Sequence, residues 1–328
     1  MERFWHRRDF RTIFALAVVA VVWSGLHLTW AFAADVYPSK RITWINPTKP
    51  GGGSDLVARC ITLYLSKHLG AEIVIKNMAA ARGRGGYVSI FNAKPDGYTI
   101  GDFNNAFVTD SISEPIEFDY TKYKYIARTG VSLHLLLSSK KGFKTWDEMM
   151  KASREKPLKW ATSNVGGSGH VSCILLKEAA KIQARLINFP GAAEAANALL
   201  RGDVEILTTS ESSTKGMIDA GEFRVLTVFG EKSHYPGVPS IAELGYPELT
   251  GPLGQHRLVV GPPKIPRAVT ETLIAGLKKV MSDKEFLAQA DKIEFDPDPL
   301  YGADAEKQAH DLFRYYDTIT PVLKKYLQ

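Results

Sequence analysis

Short apolar runs alternate with amphipathic stretches along most of this 328-residue chain. Runs rich in β-branched and aromatic residues predict strands at 41–46, 72–76, 98–101, 133–137, 158–162, 186–189, 204–208 and 224–229. Apolar positions three or four residues apart predict helices at 55–70, 87–93, 145–153, 171–181, 194–201, 269–281 and 303–323. Such alternation is typical of α/β layers with largely parallel sheets. The chain has no fixed-period repeat and no Pro/Gly/Ser-rich linker, which favours two lobes joined by strands that cross between them.

The first 33 residues differ from the rest of the chain. A basic start with the pair Arg7-Arg8 precedes the apolar run 13–23, and Ala31-Phe32-Ala33 is an A-x-A site. The run is about half the length of a membrane-spanning helix, so the pattern predicts a secretory signal peptide cleaved after Ala33. An uncleaved membrane anchor is the alternative, and both the twin-arginine and the general secretory routes stay open. We therefore expect a soluble, exported mature protein.

Composition and charge narrow the function classes. The formal net charge of +6 is modest and the basic and acidic residues are interspersed, so no nucleic-acid surface is predicted. The eight histidines include no H-x-x-x-H or H-E-x-x-H pair, and we expect neither a metal site nor a cofactor. Cys60 and Cys173 are expected to be separate buried thiols, although export makes a disulfide between them the alternative.

Three glycine-bearing loops each connect a predicted strand to a predicted helix. Glycine lets the backbone approach a ligand closely, and the N–H groups and dipole of the following helix favour an anion. The candidate ligand-binding residues in these loops are Lys49, Gly51, Gly52, Gly53, Ser54 and Asp55 in the first, Ser163, Asn164, Gly166, Gly167, Ser168 and His170 in the second, and Gly191 and Ala192 in the third. Two or three such loops in one α/β chain predict a cleft for a small anion.

Other interpretations of these loops fail on their spacing. The P-loop pattern G-x-x-x-x-G-K-[ST] is absent, and no dinucleotide pattern G-x-G-x-x-G follows the first strand. His170 stands where a nucleophile elbow built on Ser168 requires a glycine. An exported hydrolase that uses Ser168 and His170 therefore remains only as an alternative from a different class.

Motifs along the mature chain resemble one known family. Residues 47–55 resemble its P-x-x-P-G-G-x-x-D loop, and Asn77 lies eighteen residues before the P-D-G-Y-T motif at 95–99. Further matches lie, in chain order, at Gly166 and His170, at 189–202, at 236–245, and at Pro262 and Pro266. Together these motifs resemble those of the substrate-binding receptors of tripartite tricarboxylate transporters, the Bug family of periplasmic proteins, and the resemblance covers essentially all of residues 36–328.

The resemblance implies a two-lobed type II periplasmic binding fold, in which each lobe is a mostly parallel sheet flanked by helices and the cleft lies between the lobes. It places lobe 1 at 35–134 plus 256–328 and lobe 2 at 135–255, with crossing strands near 133–137 and 257–260. It implies a non-enzymatic periplasmic monomer that captures a small organic acid for integral membrane transporter subunits. Main-chain N–H groups and ordered waters of the first two loops would hold the ligand carboxylate. A binding protein that reports to a sensor kinase, with the same site, is the alternative.

Departures from the family pattern fall in segments expected to face the cleft. Thr48 and Lys49 stand where the family has phenylalanine and a small residue or proline, and 256–258 read His-Arg-Leu in place of an aromatic pair and a glycine. Arg82 replaces a glycine in the segment 79–84. Because a guanidinium fork suits a carboxylate, we expect Arg82 to favour ligands with more than one negative charge.

Polar residues that follow predicted strands are candidates for the distal end of the ligand. Asn104 and Asn105 occupy this place in lobe 1, and Ser210 and Glu211 occupy it in lobe 2. Glu211 would repel a second carboxylate or pair with an amine of the ligand.

Overall fold

The computed structural model describes residues 37–51, 53–114, 116–163, 165–250 and 253–327. The predicted signal peptide, its cleavage site and the twin-arginine pair lie outside these residues. From Lys40 onward the chain forms one unit. Across the described ranges, no helix combines the length and the apolar character that a membrane span needs.

The strands and helices have the following bounds. The strands are β1 Ile42–Asn46, β2 Ile73–Asn77, β3 Thr99–Asn104, β4 Lys124–Ser132, β5 His134–Ser139, β6 Leu158–Ser163, β7 Ala184–Phe189, β8 Ile206–Ser210, β9 Phe223–Val228, β10 Gln255–Gly261 and β11 Leu300–Tyr301. The α-helices are α1 Gly53–Leu69, α2 Arg84–Phe91, α3 Ala106–Ser113, α4 Trp146–Glu155, α5 Ser168–Ala179, α6 Ala192–Arg201, α7 Lys215–Asp219, α8 Arg267–Ser282, α9 Lys284–Lys292 and α10 Ala303–Leu327.

Each strand and helix that the hydrophobic pattern predicts overlaps an element of the same type. The pattern misses β4, whose run KYIARTGVS mixes charged residues and glycine with apolar ones. It also misses α3, where threonine, serine and valine weaken the helical signal in AFVTDSIS. The start of α5 is Ser168 rather than residue 171, so the second glycine loop contributes directly to the first turn of its helix.

The strands form two sheets, and both are mixed. The first has the order β11-β4-β10-β3-β1-β2, with β1 parallel to β2 and β3, while β10 runs antiparallel to β3 and β4. The second has the order β7-β6-β8-β5-β9, with β6 parallel to β7 and β8, while β5 runs antiparallel to β8 and β9. The two-lobed α/β fold is therefore as predicted. Four of the six strands described in the first sheet and four of the five in the second run in one direction, and β10, β11 and β5 run opposite to them, which makes the sheets mixed.

The cores are apolar and rich in aromatic side chains. Trp44 in β1 and Trp160 in β6 are completely buried, one in each sheet. Phe103 lies in a cluster of rings, 5.6 Å from both Tyr87 and Tyr123 between centroids. Such buried aromatic surface contributes strongly to stability.

The C-terminal helix α10 connects elements of both sheets. It packs on β4 and α3 and also reaches α5. Near its end, Tyr326 accepts a hydrogen bond from Lys177 Nζ in α5 at 3.0 Å. Cys60 in α1 and Cys173 in α5 are both buried and free, so the prediction of two separate thiols is confirmed.

Candidate functional site

The buried carboxylate of Asp55 organises the first glycine loop. Its Oδ2 accepts hydrogen bonds from the main-chain N–H of Gly51 and from Arg59 Nε, both at 2.8 Å. Its Oδ1 accepts from Asn77 Nδ2 at 2.7 Å and from Asn46 Nδ2 at 3.3 Å. Burial alone would raise the pKa of the Asp55 carboxyl, but the hydrogen bonds from Arg59, Asn77 and Gly51 outweigh burial and lower it. Asp55 therefore fixes the shape of the loop with all of its acceptors engaged.

Two asparagines at strand ends complete this framework. Asn46 Oδ1, at the end of β1, accepts from the Thr48 N–H at 3.0 Å and from the Thr48 hydroxyl at 2.7 Å. Asn77 Nδ2, at the end of β2, donates to the Thr48 carbonyl at 3.1 Å. The sequence interpretation gave Asn46 and Asn77 no role in binding. A polar residue at the carboxyl end of each of the neighbouring parallel strands β1 and β2 is the signal that identifies them.

The outer part of the first loop faces solvent. Lys49, Gly51 and Gly53 are exposed, Ser54 is half-buried, and Gly52 lies outside the described residues. Gly51 adopts φ +79°, a left-handed conformation that favours glycine. Gly53 and Ser54 begin α1, so this exposed edge presents the positive end of a 17-residue helix.

The second loop is held by His170. The Gly166 N–H donates to His170 Nδ1 at 3.0 Å, which requires that nitrogen to be unprotonated. Burial lowers the pKa of His170 to about 4, so the ring is neutral at neutral pH. Gly166 itself has φ +76°, while Gly167 precedes α5 in an extended conformation. Ser163 ends β6 beside this loop, and Asn164 lies outside the described residues.

Ser168 contacts a different histidine. Its hydroxyl lies 3.2 Å from Nε2 of His134, the first residue of β5. His134 Nδ1 is 2.6 Å from the Leu253 carbonyl, which can only accept, so Nδ1 carries the proton and Nε2 accepts from Ser168. Burial lowers the pKa of His134 to about 4. Ser168 is therefore not hydrogen-bonded to His170, as the alternative of a hydrolase would require, because the start of α5 directs the hydroxyl toward β5.

The third loop is covered by its own helix. Gly191 caps α6 without a side-chain hydrogen bond, and a Cβ added there would lie 2.6 Å from Oε2 of Glu194. The Glu194 carboxylate therefore lies against the helix N-terminus beside Gly191 and Ala192. A carboxylate already placed there competes with any incoming anion, and this loop is a poorer anion site than the first two.

Asn104 and Asn105 shape the start of α3. Asn104 Oδ1 accepts from the Ala106 N–H at 3.0 Å. Asn105 is completely buried and its Nδ2 donates to the Gly254 carbonyl at 3.0 Å and to the Tyr316 hydroxyl at 3.1 Å. The Asn105 Oδ1 atom is also buried, and it has no hydrogen-bond partner among the described residues.

Arg82 is already paired within the protein. Its guanidinium donates to Oδ1 of Asp110 in α3, and Arg84 donates to Asp110 Oδ2 at 3.1 Å. Arg84 also donates to the Glu114 carbonyl at 3.0 Å. Arg82 has φ +56° and an exposed side chain, whereas Asp110 is buried. The charge expected to attract a second ligand carboxylate is thus largely compensated.

Glu211 lines a cavity that Ser132 and His256 also line. Its Oε1 accepts from His234 Nε2 at 2.7 Å and from the Tyr235 hydroxyl at 2.6 Å. The cavity has a volume of about 1270 Å³, and Lys215 and Glu294 also line it. Ser210 Oγ lies 2.7 Å from Ser213 Oγ. None of these contacts brings Ser210 or Glu211 to the first or second glycine loop.

The second loop lies close to α3, the helix that follows strand β3 of the first sheet. A Cβ added at Gly166 would lie 3.5 Å from Cγ2 of Thr109. Thr109 is one residue from Asp110 and four from Asn105, so α3, the arginine segment and the second loop meet here. The structure therefore brings α3 and the segment 79–84 close to the second glycine loop, whereas the contacts described above for the third loop and for Glu211 involve other residues.

Comparison with known proteins agrees with this architecture. The family model described as "Tripartite tricarboxylate transporter family receptor", TctC, matches residues 57–317. A UPF0065 protein from the tcbD-tcbE intergenic region of Pseudomonas sp. (strain P51) is 30% identical over 265 residues, which cover 77% of this chain and 77% of that protein. Protein BugT of Bordetella pertussis (strain Tohama I) is 27% identical over 250 residues, which cover 71% of this chain and 74% of that protein.

Solved structures share the fold at low sequence identity. An R. palustris protein solved with adipate gives a TM-score of 0.75 at 21% identity and covers 88% of this chain and 98% of that one. MatC from Rhodopseudomonas palustris, solved with bound malate, gives a TM-score of 0.70 at 22% identity and covers 88% of this chain and 100% of that one. With a family model that matches most of its length, this chain belongs to the TctC, or Bug, family of tripartite tricarboxylate transporter receptors, which are periplasmic solute-binding proteins.

Proposed function

We propose that this protein captures a small organic acid in the periplasm and delivers it to the membrane subunits of a tripartite transporter. The observation that carries the proposal is the first glycine loop, where Asp55, Arg59 and Asn77 hold an exposed helix N-terminus in a fixed shape. A preformed set of N–H donors binds an anion with little ordering cost. Malate and adipate, the ligands of two proteins with this fold, are carboxylates.

The charge balance of the loop supports an anion. Asp55 is neutralised by Arg59 through the hydrogen bond at 2.8 Å, so its carboxylate does not repel a ligand as an isolated charge would. Lys49 is exposed on the same loop and adds a positive charge. The helix dipole of α1 acts in the same direction.

Release and capture would use the chain crossings between the two sheets. Leu133 separates β4 of the first sheet from β5 of the second, and the segment 229–254 returns the chain to β10. Rotation about these crossings would open the lobes 35–134 plus 256–328 and 135–255, and closure would bury the ligand between the first and second loops. In this proposal, capture consists of ligand binding and lobe closure, and no covalent bond is made or broken.

A thermal-unfolding screen of organic acids on the mature protein tests the proposal. The panel contains malate, succinate, adipate and citrate, and each acid is matched by a neutral amide of the same carbon skeleton where one exists. A ligand present at a hundred times its Kd adds about 2.7 kcal/mol to the free energy of unfolding. We expect at least one acid to raise the unfolding temperature while its amide does not. If none of the four acids raises the unfolding temperature, capture of these acids is contradicted.

A further inference from the structure

Arg257 is a partly buried arginine whose hydrogen bonds within the described residues include none to a carboxylate. It forms no ion pair with an Asp or Glu side chain anywhere in the described ranges, and its Nε is shielded from solvent without a hydrogen-bond partner. Its terminal nitrogens donate only to neutral oxygens, at long distances: 3.2 Å to Ser54 Oγ, 3.5 Å to Ser132 Oγ and 3.4 Å to Gln255 Oε1. A buried charge served only by weak neutral partners is costly to the folded protein.

The nearest source of compensation is incomplete. Asp102 lies on the neighbouring strand β3, on the same face of the sheet as Arg257, since Asn104 is opposite Arg257 and Asp102 is opposite Val259. Asp102 Oδ2 accepts from Trp44 Nε1 at 2.8 Å. Burial raises the pKa of Asp102 to about 7, against the effects of Trp44 and Arg257, so burial opposes the charge that would compensate Arg257. Burial lowers the pKa of Arg257 to about 10, so Arg257 itself stays charged.

The position of Arg257 connects it to the first glycine loop. Ser54 is in the first turn of α1, directly after that loop, and Ser132 is the last residue of β4 before the chain crosses to the other sheet. Ser54, Ser132, Gln255 and Arg257 itself are all partly exposed, as the binding of a small molecule between Arg257 and the helix N-terminus requires. Arg257 also stands where the family pattern has no arginine.

We propose that Arg257 binds a carboxylate of the ligand at the N-terminal end of α1. The inference rests on the proposed capture of an organic acid and adds a charged side chain to the main-chain groups and waters that the family resemblance implies. The two terminal nitrogens match the two oxygens of a carboxylate, which would replace the long contacts to Ser54 and Ser132. The anion would supply the partner that the folded protein lacks, and a neutral amide would not.

The experiment compares the wild type with Arg257→Gln and Arg257→Lys. Arg128→Gln is the matched control, because Arg128 lies on the adjacent strand β4 and, unlike Arg257, pairs with a carboxylate, that of Asp298 at 2.7 Å. In the first arm, thermal unfolding is measured in sodium acetate and in sodium chloride at equal ionic strength, with acetate as a minimal carboxylate. In the second arm, calorimetry measures the affinity for whichever acid of the panel binds the wild type.

We expect acetate to raise the unfolding temperature of the wild type and of Arg128→Gln, but not that of Arg257→Gln. In chloride, Arg257→Gln should unfold at the same temperature as the wild type or higher, because a buried charge has been removed. Loss of charge-assisted hydrogen bonds should weaken acid binding about tenfold to a hundredfold. Arg257→Lys keeps the positive charge but loses the planar guanidinium fork, so its affinity for the acid should lie between those of the wild type and Arg257→Gln.

The outcomes separate this inference from the proposed function. If an acid binds Arg257→Gln as tightly as it binds the wild type, the assignment of Arg257 is overturned and capture of an acid stands. If the acetate effect is the same in all variants, or absent from all, the assignment is also overturned. If no acid of the panel binds but the acetate effect depends on Arg257, the anion site stands and capture of the four acids of the panel is contradicted.

Discussion

The hydroxyl of Ser168 donates to Nε2 of His134, 34 residues earlier in the chain, at 3.2 Å. Ser172 lies one turn further along α5, and its hydroxyl donates to the Ser168 carbonyl at 2.9 Å. His134 is fixed in one tautomer by the Leu253 carbonyl and stays neutral because burial lowers its pKa to about 4. The network links α5, β5 and the segment before β10, and it fixes the direction in which the second loop enters its helix.

Replacing Ser168 should therefore affect stability. In Ser168→Ala, the buried Nε2 of His134 loses its donor, and an unsatisfied buried polar atom costs about 1–3 kcal/mol. Chemical denaturation measures this loss. Ser282→Ala is the control, since Ser282 is exposed and its hydroxyl bonds only to carbonyls of its own helix; that variant should change stability by less than about 0.5 kcal/mol. If Ser168→Ala has the same free energy of unfolding as the wild type, the hydrogen bond from Ser168 to His134 is contradicted.

Asp55→Asn should disrupt the first loop. An asparagine replaces one of the two carboxylate oxygens by an N–H₂ group. That group faces either the donors Gly51 and Arg59 or the donors Asn77 and Asn46, so in both orientations donors face donors. We expect a loss of about 1–3 kcal/mol in the free energy of unfolding and a loss of acid binding. Both are measured on one preparation by denaturation and calorimetry. Asp317→Asn, an exposed change on α10, should leave both unchanged; retained binding in a folded Asp55→Asn would remove the loop from the site.

Arg82 and Arg84 form a matched pair on one carboxylate. Arg84 is the more buried, with 20% of its side chain exposed against 59% for Arg82, and it bonds to Glu114 as well as to Asp110. Arg84→Ala should cost about 1–3 kcal/mol, and Arg82→Ala less than about 1 kcal/mol. Because Asp110 compensates Arg82, we also expect Arg82→Ala to weaken monocarboxylate and dicarboxylate binding equally. A selective loss of the dicarboxylate would restore Arg82 as a ligand contact.

Asp102 should make stability depend on pH in an identifiable way. Its carboxyl has a pKa of about 7 in the folded protein, raised by burial, against an ordinary value of 3.8 in the unfolded chain. Between these values the unfolded chain releases the proton and the folded protein keeps it, so this group lowers stability as pH rises from about 4 to 7.

Asp102→Asn removes this effect and keeps an oxygen for Trp44 Nε1. The difference in unfolding free energy between Asp102→Asn and the wild type should rise with pH, by at most about 1.4 kcal/mol per pH unit, and level off above pH 7. Urea denaturation at half-unit steps from pH 4 to 8 measures it. Parallel profiles for the two proteins would place the Asp102 pKa near its ordinary value.

Local patterns in the sequence determined most of the secondary structure and the position of the first two loops. Glycine followed by a polar helix start at 51–55 and 166–170 has the same meaning in any α/β chain, because the backbone freedom and the free N–H groups are local properties. The separate thiols followed from the same local reasoning, since Cys60 lies on an apolar helix face.

Tertiary structure decided how the sheets are built and which partners the polar side chains find. The late strand β10 inserts between β3 and β4, antiparallel to both, and thereby places Arg257 beside Ser54, 203 positions away. Arg82 meets Asp110, and Ser168 meets His134 rather than its near neighbour His170. Side-chain direction on a helix and strand register set these contacts, and neither is encoded by the spacing of residues within one loop. The sequence alone thus determines where an anion can approach the backbone, whereas the folded chain decides which charges are left to meet it, because each buried charge is satisfied or not by residues remote in sequence.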